Sequence, residues 1–166
     1  YDSWEFEAEG VIPIHVLANY QTVLWTADDL GSYQFQENEA ALQHYLDAGG
    51  TLVLAGWKAL QGVSASFVQE YLYVENLELS GNAYNFSGFF AADAALPYLP
   101  VDANKTLPNL NGQLKWIYGF DVINSAIPLY FADETDDITD WEQKTCAIKQ
   151  TEMSPKTAIF GFPLYY

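Results

Sequence analysis

Trp57 and Lys58 stand directly after Gly56, at the exit of the apolar run "TLVLAG" (51–56). Where a strand gives way to a helix in an α/β enzyme, that position carries a nucleophile when it holds Cys or Ser between glycines. Here the stretch reads Gly56-Trp57-Lys58-Ala59-Leu60: an ammonium replaces the nucleophile and the second glycine is gone. Asp28 and Asp29 leave an earlier apolar run, "QTVLWTA" (21–27), and Tyr33 ends the turn after them. Open α/β sheets bind ligands outside the carboxyl ends of their strands. Two carboxylates, an indole and an ammonium gathered there, with Tyr33 beside them, would suit a sugar, a peptide terminus or a cation. Asp28, Asp29, Tyr33, Trp57 and Lys58 are therefore the candidate ligand site. The plainer alternative is that Asp28 caps a turn, Lys58 pairs with a carboxylate and Trp57 packs under a loop.

Other reactive residues are few. Cys146 is the single cysteine and sits in an alternating run, "TCAIKQ", as a small buried hydrophobe does. His15 and His44 are the only histidines, both precede Gly56, and neither has zinc-ligand spacing. "GVSAS" (62–66) nearly matches a serine-hydrolase elbow, but no histidine follows it, and Ser64 reads better as a helix N-cap. The acidic connector 133–143 offers Asp133, Asp136 and Asp137 as a calcium candidate by composition alone. It lacks the central glycine and closing glutamate of a calcium loop, so a solvated acidic loop is the competing reading. Asn85-Phe86-Ser87 and Asn104-Lys105-Thr106 match glycan acceptor sequons, which three-residue patterns often do by chance. No cofactor motif is present.

The elements that must position these residues follow from periodicity. The runs at 21–27 and 51–56 read as buried strands. Between them "FQENEAALQHYLDAGG" (35–50) reads as an amphipathic helix, with Ala41, Leu42, Tyr45 and Leu46 on one face and Gly49 as its left-handed cap. A second helix is expected at 64–73. Strands are expected at 1–7, 74–81, 113–120, 126–132, 145–151 and 157–164, with a short helical turn or loop at 13–20 and mainly loop with short elements from 82 to 112. In the last strand, Phe160 and Phe162 should share one face, Ile159 and Gly161 the other, and Pro163 should mark its end. Two apolar runs joined by one helix predict adjacent parallel strands.

"VLWTADDLGSYQFQENEAALQHYLDAGGTLVLAG", "SFVQEYLYVE" and "TCAIKQ…KTAIFGFPLYY" together resemble the glutamine amidotransferase-like (class I) domain of large secreted bacterial proteins. The shared pattern is a strand ending in Thr-Gly-Asp, a helix ending in Leu-Asp-Ala-Gly-Gly, a strand ending in Gly and a terminal Gly-Phe-Pro-Leu, with Ala27 standing where Gly is usual. The resemblance implies a flavodoxin-like α/β fold: a mostly parallel sheet with helices on both faces and antiparallel strands added toward the C-terminus. It also implies a first strand and helix before Tyr1. It does not bring the activity, because the elbow cysteine and the late histidine–glutamate pair are missing.

Residues 1–166 are expected to form a single domain, a piece of a longer multidomain protein, with half the residues apolar and enough chain for a core. Six basic residues against 22 acidic ones give a formal net charge of −16. That balance argues against nucleic acid and anionic membranes as partners, and no apolar run is long enough to span a bilayer. The resulting expectation is a non-catalytic binding or spacer module of a secreted or cell-surface protein. Its partners would be neighbouring domains of the parent chain and a carbohydrate or peptide ligand. The alternative is a hydrolase with a metal- or carboxylate-assisted site at the strand ends.

Overall fold

The computed structural model describes residues 2–27, 33–81, 83–102, 104, 114–123, 125–135, 140–152 and 155–164. It is a mixed α/β fold. Helices α1 (Phe6–Glu9) and α2 (Ile14–Leu17) precede strand β1 (Thr22–Ala27). Helices α3 (Gln34–Glu37) and α4 (Glu39–Asp47) lead to β2 (Thr51–Gly56), and α5 (Ala65–Glu70) follows it. Strands β3 (Val74–Leu79), β4 (Phe86–Ala91), β5 (Leu99–Pro100), β6 (Tyr118–Val122), β7 (Ile127–Glu134), β8 (Thr145–Gln150) and β9 (Lys156–Phe160) complete the chain.

Seven strands form one sheet in the order β1-β2-β9-β8-β7-β4-β5. β1 pairs parallel with β2 from Thr22↔Thr51 to Ala27↔Gly56, as two apolar runs around one helix predict. β2 pairs parallel with β9, and every later pair is antiparallel. The sheet is thus parallel at one end only, which corrects the expectation of a mostly parallel sheet. The antiparallel additions expected near the C-terminus are present, joined by β4 and β5. These two are the short elements inside 82–112, a stretch whose frequent Gly, Asn and Pro read as mainly loop. Pro100 is tolerated in β5 because an edge strand needs no donor on its outer side. β3 and β6 leave the main sheet and pair antiparallel with each other.

Two apolar clusters hold the sheet. The first takes Trp25 and Ala27 from β1, Leu52 and Leu54 from β2, Ile148 from β8 and Ile159 from β9. Onto them pack Leu17, Phe35, Leu42, Tyr45, Leu46, Phe67 and Val68 from helices α2 to α5, with Phe6 of α1 partly buried against the same cluster. The second cluster contains Trp57, Phe86, Phe89, Tyr130, Trp141, Cys146 and Phe162, and no residue of a helix. Among the described residues the helices therefore fill one cluster, where helices on both faces were expected. The reason is visible on β1: Thr22, Leu24 and Thr26 are exposed, so its second face is uncovered.

The terminal strand follows its alternation. Ile159 enters the first cluster, Phe160 and Phe162 the second, and Phe89 stacks on Phe162 with ring centroids 3.6 Å apart. Regular pairing ends at Phe160, before Pro163. The helix expected over 35–50 breaks at Asn38. That buried side chain accepts the Ile12 N–H at 2.8 Å and donates to the Gln34 carbonyl at 2.6 Å, tying the N-terminal segment to the α3–α4 junction. Gly49, at φ 92°, supplies the expected left-handed cap. The N-terminal stretch expected as a strand instead turns into α1, where Phe6 packs on Trp25 at 4.6 Å.

Candidate functional site

The carboxyl ends of β1, β2 and β9 meet at the elbow. The Trp57 N–H donates to the Ala27 carbonyl at 2.8 Å, and the Gly56 N–H to the Phe162 carbonyl at 3.2 Å. Gly56 adopts φ 148°, and a Cβ there would come within 2.2 Å of the Ala27 carbonyl oxygen. Only glycine fits, because the β1 backbone already occupies that space. The chain then takes seven residues of irregular turn before α5. Ala59 and Leu60 are buried beneath this loop, and the Gln61 N–H closes onto the Lys58 carbonyl at 2.9 Å. Ser64 caps α5, as its position predicts: its Oγ accepts the Phe67 N–H at 3.2 Å and donates to Glu39 Oε1 at 2.5 Å. Glu39 thereby fastens the start of α4 to the start of α5.

Of the five predicted site residues, Tyr33, Trp57 and Lys58 lie among the described residues. Trp57 is 1% exposed and belongs to the second core cluster, so its indole presents no face to a ligand. Lys58 takes the left-handed conformation at φ 44° and lays its ammonium over the Trp116 ring, 5.0 Å from the centroid. Tyr33 is exposed just before α3, and its hydroxyl accepts a hydrogen bond from Gln61 Nε2 at 2.8 Å. Asp28 and Asp29 lie outside the described residues. Trp116 and Gln61 are the partners that local patterning missed. Neither is marked by its neighbours in sequence: Trp116 reaches Lys58, and Gln61 reaches Tyr33, through contacts between distant parts of the chain.

Among the described residues, His15, His44 and Cys146 are dispersed. α2 and α4 each lead into the amino-terminal end of a parallel strand, so His15 and His44 sit at the end of the sheet away from the elbow. The five residue steps of β2 separate the two ends by about 17 Å. Cys146 is at the elbow end, since its carbonyl accepts the Gly161 N–H, but its thiol is fully buried and approaches the Tyr130 carbonyl at 3.5 Å. Burial pushes that thiol well above its ordinary pKa, opposite to what a nucleophile requires.

Asp133, expected in an acidic connector, is a residue of β7, and its Oδ2 accepts the Tyr98 hydroxyl at 2.5 Å. Asp136 and Asp137 lie outside the described residues. Among the described residues, no group of three or more His, Cys, Asp and Glu side chains could hold a metal ion. Also among the described residues, no helix is long and apolar enough to cross a membrane.

No family model matches the chain, and no curated protein matches it in sequence. Among solved structures, the mmIFT52 N-terminal domain superposes with a TM-score of 0.51 at 13% identity, over 93% of this chain and 71% of that one. At that identity the likeness concerns the fold.

Proposed function

We infer that the chain is a non-catalytic binding or spacer module built on an amidotransferase-like mixed α/β frame, and that its parent is a secreted or cell-surface bacterial protein. The observation that carries this reading is the elbow. Its nucleophile position holds Lys58, drawn onto Trp116, and both histidines lie at the opposite end of the parallel strands. A nucleophile needs a base within about 3 Å. The three parallel strands β1, β2 and β9 and the Gly56 turn support the amidotransferase-like reading. The fold likeness to a named N-terminal domain is compatible with a unit carried inside a longer protein.

The test is purified protein assayed with glutamine, simple esters and peptide substrates, beside Lys58→Ala and Cys146→Ala. The expected outcome is no turnover above background in any of the three proteins. Turnover that either substitution abolishes would replace this reading with that of a hydrolase.

A further inference from the structure

The outer face of β4 and β7 carries a constellation unrelated to the elbow. A register shift between Phe86 and Gly88 turns β4 so that Gly88 opposes Asp133, Phe89 opposes Ala132 and Phe90 opposes Phe131. Phe89 and Ala132 point into the second core cluster, which leaves Gly88, Phe90, Phe131 and Asp133 on the other face. Tyr98 folds back over this face. Its ring lies against Phe90, centroids 5.6 Å apart, and its hydroxyl donates to Asp133. A Cβ on Gly88 would come within 2.2 Å of the Tyr98 oxygen, so a glycine inside a strand is what allows the ring to lie down. Phe90 is 41% exposed and Tyr98 43% exposed.

Ring faces carry negative electrostatic potential and attract cations within about 6 Å. Asp133 adds a carboxylate beside the rings, and no ion pair among the described residues involves it. Burial, followed by the bond to Asp133 and its charge, pushes the Tyr98 hydroxyl up to about 12, and Glu142 adds to the same negative field. The whole chain carries −16, which concentrates cations around it.

We propose that Phe90, Tyr98, Phe131 and Asp133 form a docking surface for an arginine-bearing peptide segment of a partner protein, its guanidinium stacked on the rings and paired with Asp133. Arginine suits such a surface because its planar group both stacks on rings and bonds to carboxylate. The proposal rests on the reading of the chain as a binding module. Turnover at the elbow would sink that reading and leave this surface standing, so the two fail separately.

The experiment measures fluorescence anisotropy of a labelled Gly-Arg-Gly-Arg-Gly peptide against the intact chain, with Gly-Gln-Gly-Gln-Gly and a neutral cello-oligosaccharide as comparison ligands. Asp133→Asn and Phe90→Ala should each weaken arginine-peptide binding about fivefold or more, the effect of losing about 1 kcal/mol. Glu7→Gln, the same charge change beside β1 at the other end of the sheet, should leave binding within about twofold. Phe90→Leu, which keeps apolar bulk and removes the ring, serves if the alanine variant fails to fold. Absence of arginine-peptide binding would overturn the proposal. So would equal loss in Glu7→Gln, which would mark bulk charge, or preference for the oligosaccharide or the glutamine peptide.

Discussion

Gly56 is the residue on which the elbow depends. Its φ of 148° and the 2.2 Å approach of a would-be Cβ to the Ala27 carbonyl leave no room for a side chain. That carbonyl already accepts the Trp57 N–H, so it cannot move without breaking the join between β1 and β2. Gly56→Ala should therefore cost about 3 kcal/mol, the upper range for inserting a methyl into filled space. A urea midpoint left unchanged would show that the loop yields. Lys58 and Trp116 both occupy left-handed conformations, at φ 44° and 56°, and they meet in one cation–π contact. Each non-glycine residue held there stores strain of about 1 kcal/mol. The contact and the buried anchors Ala59 and Leu60 offset that strain. Lys58 thus has a structural use: it closes a loop against Trp116, beside the second core cluster.

At the level of elements, β9 is the strand that joins the parallel and antiparallel parts of the sheet. It pairs with β2 on one side and β8 on the other, which places Ile159 between Leu54 and Ile148 in one apolar row. Ile159→Ala should cost about 3 kcal/mol, because a cavity between fixed neighbours cannot collapse. Leu24 has the same chemistry on the edge strand β1 but is 63% exposed. Leu24→Ala should change stability by no more than about 0.5 kcal/mol. Equal effects in urea unfolding would contradict the sheet order. The β1–α4–β2 unit was legible because a 3.6-residue period and a capping glycine separate two short apolar runs, and each signal is local. β4 was not. Its "FSGFFA" is interrupted by Ser87 and Gly88, which a bulge and the Tyr98 ring require. Those causes are the pairing with β7 and the Tyr98 ring, neither of which β4's own residues display.

For the whole molecule, buried acids set the response to alkali. Burial raises the pKa of Cys146, and likewise of Tyr118, Tyr73 and Tyr45, while Tyr98 is pushed to about 12. All are neutral in the folded chain and ionise more readily once unfolded. Above the unfolded values the unfolded state holds fewer protons, so stability must fall as pH rises. The urea midpoint should hold steady to about pH 8, decline as the unfolded thiol ionises, and steepen beyond about pH 9.5 as the tyrosines follow. Tyr118→Phe should soften the second decline. A midpoint flat through that range would mean that these groups are reached by water in the folded state.

Residue order alone determined the paired runs at 21–27 and 51–56, the helix cap at Gly49, the Ser64 cap and the facing of Ile159 against Phe160 and Phe162. Each is a consequence of backbone period or of a side chain meeting its own near neighbours. It also determined that Lys58, not a cysteine or serine, follows Trp57 at the strand exit. Tertiary structure decided the rest: a sheet parallel only at one end, helices gathered on one cluster, β3 and β6 drawn off as a pair, Trp57 turned into the core, and Asp133 joined to the Tyr98 hydroxyl. Those outcomes depend on which of several apolar strands lies next to which, a choice between contacts separated by tens of residues. Local alternation is the same for every such partner, so only the packed chain distinguishes among them.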